Sequence, residues 1–177
     1  RLLGKAMAEN RDDFILALYL GRYAGFRIHE CFRMDTAAAE QALRENALTV
    51  KGKGGKVRTV PIEDERILMM LKRVLAQTER GHKLLVPDGM PTDRSINALE
   101  LFIYRHRNEI SDEGSDRRLT FHGLRHTYAA EKYTRLTEGG MSAIDAHYAV
   151  SRLLGHERAD VTDIYLASVR KRGSDGE

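Results

Sequence analysis

The chain has 177 residues, of which 42% are hydrophobic and 31% charged, and a formal net charge of +3. That length suits one domain with a real core, that composition excludes a disordered chain, and no apolar run approaches the roughly 20 residues of a membrane helix. A net charge this small leaves any affinity for nucleic acid to local clusters of cations.

Asn10 to Asp13 predict a cap and an acidic first turn for an amphipathic helix that carries Phe14, Ile15, Leu18 and Tyr19 and ends near Gly25. Arg27 opens a second helical stretch. There the lone cysteine, Cys31, sits among Ile28, Phe32 and Met34 as a small hydrophobe on a buried face; it closes no internal disulfide, which fits a reducing, cytoplasmic setting. Asp35-Thr36 caps an alanine-rich helix to about Glu45. Leu48-Thr49-Val50 and Val57-Arg58-Thr59-Val60-Pro61 answer each other as strands, with the intervening glycines as a hairpin turn. Helices are expected from Asp64 to Thr78, from Thr92 to Ile110 and from Gly123 to Leu136, with Pro87, Gly89 and Pro91 breaking the middle of the chain. Ser111 to Arg118 reads as an exposed loop. Leu153-Leu154-Gly155-His156 ends one helix, and Asp160 to Asp163 starts another that carries Tyr165. The expected fold is a single domain over 1–177, mainly α with a small antiparallel β-hairpin, an α+β class. Beginning at Arg1 without a methionine, the chain reads as part of a longer protein.

Several residues carry possible chemistry. His122 and Arg125 lie three apart, so one helix face presents both to a single phosphate, whereas His126 is expected to point elsewhere. Nine residues separate His156 from Tyr165, which on one unbroken helix would oppose them, so the break after Gly155 is needed for convergence. The pattern suggests a nucleophilic tyrosine in a cationic phosphate cage. Each residue also has a plainer reading. Tyr165 packs beside Ile164 and Leu166, Arg27 and Glu30 form a surface ion pair, and Lys51, Lys53, Lys56 and Arg58 make a solvated hairpin tip. His122 then braces its helix, and His156 favours a helix C-terminus. His29, His82, His106, His126 and His147 are read as structural or surface residues, and Tyr104 with Arg105 to Arg107 as a solvated face or a backbone contact to DNA. With one cysteine and scattered histidines, no metal cluster is expected, and no cofactor.

The order Arg27, Lys53, His122-x-x-Arg125, Leu154-Gly155-His156, Tyr165 closely resembles the catalytic domain of the tyrosine recombinase or phage integrase family, from about Asp12 to Val169. The resemblance implies that family's catalytic-domain fold. It makes Tyr165 the nucleophile, Arg27 and Arg125 the phosphate clamps, Lys53, at the family's Gly-Lys-Gly position, the general acid, and His122 and His156 their partners. Glu30 matches the acidic residue that steadies the first arginine, and Lys51, Lys56 and Arg58 are expected DNA contacts. The implied activity is an enzyme's: site-specific recombination for a phage or mobile element. It acts through a covalent 3′-phosphotyrosyl intermediate without metal or ATP, on double-stranded DNA. A homotetramer is expected for the full-length protein and a monomer for this chain, away from membranes. The alternatives are a type IB topoisomerase and a non-catalytic DNA-binding relative. A phenol with a pKa near 10 needs a base and cationic surroundings to attack a phosphodiester, which is why these residue types are required.

Two features depart from the family pattern. Thr137 to Tyr148 looks like an insertion or an elongated helix pair, and the polar residues after Tyr165 suggest a mobile segment with weak subunit exchange. Without the family's N-terminal DNA-clamping domain, this chain is expected to bind DNA weakly and with little sequence preference.

Overall fold

The computed structural model describes residues 1–52, 55, 57–110 and 119–155. Their elements are α1 (Leu2–Ala8), α2 (Asp12–Tyr23), α3 (Ile28–Cys31), α4 (Thr36–Glu45), β1 (Ala47–Lys51), β2 (Val57–Pro61), α5 (Glu65–Leu75), α6 (Thr92–Ile110), α7 (Phe121–Glu138) and α8 (Ala143–Leu154). The result is mainly helical with one two-stranded antiparallel sheet, the α+β class expected from the sequence.

Helix α2 is the axle. All eight residues from Phe14 to Gly21 are buried, more than an amphipathic stripe can hold, so the expected one-faced helix is instead covered all round. Helices α1, α3, α5 and α7 pack against it. Its N-cap is Arg11, whose guanidinium grips Asp13 at 2.7 Å, while Asn10 stands outside at φ 53°. The helix ends at Tyr23, and Gly25 turns the chain away at φ +66°. A Cβ on Gly25 would lie 2.5 Å from the Tyr128 ring, so sterics and backbone conformation both demand glycine there.

The remaining elements follow their local chemistry. Asp35 caps α4 by accepting from Ala38 N–H at 2.8 Å, and Asn46 ends that helix in the left-handed region. In the hairpin Leu48 pairs with Val60 and Val50 with Arg58. Because side chains alternate along a strand, Leu48, Val50 and Val60 turn into the core, and Arg58 shares their face. Helix α5 stops at Leu75, short of the expected Thr78, whose hydroxyl instead donates to the Val74 carbonyl at 2.8 Å. Helix α6 covers the span read from sequence. Thr120 caps α7, accepting from Gly123 N–H at 3.0 Å, so that helix starts two residues earlier than expected. Ser142 caps α8, and α7 and α8 form the helix pair anticipated over Thr137 to Tyr148. The short α1, with Leu2 and Ala6 buried, was not anticipated, since two apolar contacts make a weak periodic signal. The Ser111–Arg118 loop and the segment after Tyr165 lie outside the described residues.

The glycines give a paired test. Gly25→Ala is expected to lose about 2–5 kcal/mol of stability, from the left-handed backbone and the Tyr128 overlap. Gly4→Ala in α1, with nothing near its added methyl, should gain up to about 1 kcal/mol. Urea denaturation of both variants checks this; equal effects would contradict the packing described.

Candidate active site

The turn at Phe26 and Arg27, α3, α6 and the start of α7 border a cavity of about 260 Å³ lined by Phe26, Arg27, Ile28, His29, Glu100, Thr120, Phe121 and His122. Arg27 and His122, far apart in sequence, therefore face one space. Arg27 is the N-cap of α3, and Glu30, three residues on, reaches back to accept from its backbone N–H at 2.7 Å. The same carboxylate accepts from Arg27 Nη1 at 3.1 Å, leaving the Arg27 side chain 29% exposed.

Glu30 is only 4% exposed, and a second guanidinium holds it. Arg58 donates from Nη1 to Oε1 at 2.8 Å and from Nη2 to Oε2 at 2.7 Å, while its Nε donates to the Leu153 carbonyl at 2.9 Å. Burial alone would push the Glu30 carboxyl up. The Arg58 bonds and charge, with the Arg27 backbone and charge, outweigh it and bring the pKa down from 4.5 to about 2. Arg58, expected from the sequence as a DNA contact, has a side chain only 9% exposed, with all three of its nitrogens engaged inside the protein. The strand register held the signal, because a residue opposite buried Val50 faces the core and a charge there needs a partner.

Arg125 is 0% exposed. Its Nη1 donates to the Gly25 carbonyl and its Nη2 to the Leu154 carbonyl at 2.6 Å, so α7 bolts the turn before Arg27 to the last turn of α8. It is not among the residues that line the cavity. His122 does line the cavity, and burial first, then the Arg125 and Arg27 charges, lower its pKa below 6.5. His126 departs from expectation: it does not point away but packs edge-on against His122, ring centroids 4.8 Å apart, as i, i+4 spacing on a helix dictates. His29, read as structural, also lines the cavity, and burial lowers its pKa. Gly155, at φ +64°, turns the chain out of α8 toward His156. Lys51 is exposed at the end of β1, whereas Lys53, Lys56, His156 and Tyr165 lie outside the described residues.

One His and carboxylate group that the sequence did not single out, Glu79, His82 and Asp88, has ligand atoms within 4.8 Å of one another. Asp88 bonds the Nδ1 of His82 and Glu79 stands 3.9 Å from its Nε2. Carboxylates on opposite ring nitrogens suit a protonated imidazole, whose pKa the Asp88 bond raises, better than a shared cation. Tyr128 is no rival nucleophile: burial raises its phenol to about 12.

A model of the phage integrase family matches residues 5–172. The chain belongs to the phage integrase family. Among curated relatives it is 27% identical to tyrosine recombinase XerD of Pseudomonas putida, over 96% of this chain and 53% of that protein. It is 28% identical to tyrosine recombinase XerS of Streptococcus sanguinis, over 89% and 42%, and 30% identical to tyrosine recombinase XerC of Shewanella oneidensis, over 89% and 47%. This family member thus spans about half the length of the curated relatives it matches. Among solved structures it resembles XerA recombinase (TM-score 0.66, 21% identity, 99% of this chain and 61% of that one). It also resembles the Tn1549 transposon integrase in complex with circular intermediate DNA (TM-score 0.62, 18% identity, 93% and 57%). These likenesses establish the tyrosine recombinase catalytic-domain fold.

Two titrations test the site. Because the Glu30 pKa is depressed, its contribution is complete above about pH 4.5 and is lost as pH falls toward 2, an effect of about 3 kcal/mol. The stability gap between wild type and Glu30→Gln should narrow by that amount over this window in acid denaturation; a constant gap would mean the carboxylate is not held by the arginines. NMR titration of His122 should give a midpoint below 6.5, and a higher one would contradict the cationic setting.

Proposed function

We propose that this chain is the catalytic domain of a site-specific DNA recombinase that breaks and rejoins double-stranded DNA through a 3′-phosphotyrosyl intermediate. The observation that carries the reading is the shared cavity of Arg27 and His122, backed by the Arg58–Glu30 pair and by buried Arg125. An arginine anchored from behind by a carboxylate keeps a fixed charge toward an incoming phosphate, and a histidine kept neutral at pH 7 accepts a proton.

In this reading Arg27 and Arg125 hold the non-bridging oxygens of the scissile phosphate. A guanidinium carries five N–H groups, so holding the Gly25 and Leu154 carbonyls is compatible with a role toward phosphate. His122 takes the phenolic proton of Tyr165, and the Tyr165 oxygen attacks phosphorus. Lys53 protonates the departing 5′ oxygen, leaving a 5′ hydroxyl and a 3′ phosphotyrosine. His156 shares the charge on the five-coordinate phosphate, and Lys51 and Lys56 approach the DNA backbone. Attack by a 5′ hydroxyl from a second duplex reverses these steps and exchanges strands, conserving the phosphodiester energy without ATP. Residues 1–177 act as one catalytic domain, in the cytoplasm, and the full protein assembles as a tetramer on two duplexes. The relatives are recombinases and integrases, which favours strand exchange over topoisomerase-like relaxation.

The test is a nicked suicide substrate incubated with the full-length protein in chelator. A denaturation-resistant DNA adduct is expected with wild type and none with Tyr165→Phe, while His122→Ala should slow its formation by about 10²–10⁴-fold. Wild type that forms no adduct on its cognate site would overturn the catalytic reading.

A further inference from the structure

The cavity, the hairpin and the end of α8 meet at one side chain that the proposed chemistry does not use. We infer that Arg58 is a positioning residue for strand cleavage, setting the direction of Arg27 through their shared carboxylate, Glu30; this rests on the recombinase reading above.

Both oxygens of Glu30 are doubly engaged. Oε1 accepts from Arg27 Nη1 at 3.1 Å and Arg58 Nη1 at 2.8 Å; Oε2 accepts from Arg27 backbone N–H at 2.7 Å and Arg58 Nη2 at 2.7 Å. Arg58 has the shorter side-chain contacts and the planar two-pronged fit, so it fixes the plane of the carboxylate, and Arg27 takes the third, longer side-chain contact. Arg27 keeps that contact while lining the cavity. Without Arg58, only the Arg27 contacts hold the carboxylate, which can then turn to draw the Arg27 guanidinium into a two-pronged pair of its own, away from a phosphate.

Arg58 is itself held from behind. Its Nε donates to the Leu153 carbonyl, and its guanidinium lies 5.7 Å from the Phe26 ring, another cavity residue. A Cβ on Gly155 would stand 3.0 Å from Arg58 Cδ and 3.3 Å from its Nη1, so Gly155 also leaves room for this side chain. Lysine, a single point donor on a flexible stem, reproduces neither the fork nor the Leu153 bond.

The experiment uses the full-length protein, with folding verified by circular dichroism. Arg58→Lys keeps the charge, and the paired variant Arg58→Met/Glu30→Met removes both buried charges together, so the fold is not left with an orphan ion. Single-turnover cleavage of the nicked substrate at saturating DNA should fall about 10²-fold in both, the scale of an ångström-level misplacement, with DNA affinity little changed. In an Arg27→Ala background, Arg58→Lys should add little further loss, because the two act through one group. Without DNA, the Arg27 Nε–H resonance should shift in Arg58→Lys.

Full additivity with Arg27→Ala, or an Arg27 resonance and a cleavage rate unchanged by Arg58→Lys, would overturn the inference while leaving the recombinase reading intact. Wild type without a Tyr165 adduct would instead sink the recombinase reading, and the catalytic meaning of Arg58 with it.

Discussion

A carboxylate at 4% exposure is affordable only when its charge is answered, and Glu30 is answered twice, by Arg58 from the hairpin and by Arg27 from its own helix. Breaking such a buried pair by removing one partner costs about 3–5 kcal/mol, because the remaining charge stays out of water. The requirement is geometric as well as energetic. The hairpin has to lie against α3 for the Arg58 fork to reach Glu30, and the end of α8 has to lie against the hairpin for the Leu153 carbonyl to receive the third bond. Three pieces of chain far apart in sequence are thus placed by one ion cluster.

Arg125 repeats this logic with backbone carbonyls. Among the described residues, its bonds to two carbonyls join the turn at Gly25 to the final turn of α8, and both places use a left-handed glycine, Gly25 and Gly155. A helix end leaves its last carbonyls without intrahelical partners, and here buried guanidiniums take two of them, Leu153 and Leu154. The same arginines that brace the fold therefore fix where the chain departs toward His156.

The electrostatics of the cavity follow from that bracing. Burial disfavours protonation of His122, and the Arg125 and Arg27 charges act in the same direction, which favours the neutral imidazole. Glu30, with its pKa near 2, never competes for a proton in the physiological range and acts only as an anchor. A phosphate entering this space meets fixed charge that requires no reorganisation, the condition under which electrostatic stabilisation of a transition state is largest.

The amino-acid sequence by itself determined most of the elements and the family. The cap at Asp35, the helix start at Asp64, glycine stops at 25 and 155, and alternating apolar residues in the hairpin are local rules, and local rules operate without knowledge of the partner. The order of Arg27, His122, Arg125 and Gly155 was likewise legible, because a motif is a spacing. What only the tertiary structure decided is what each cation faces. Arg58 looked like one more lysine-rich hairpin charge until its pairing with Val50 turned it inward onto Glu30, and Arg125, read as a phosphate clamp beside His122, is also buried against the Gly25 and Leu154 carbonyls. His29 and His126 joined the cavity and its histidine for the same reason. Charge is written in the side chain, but burial and direction are properties of neighbours brought together from distant parts of the chain, and no local spacing encodes them.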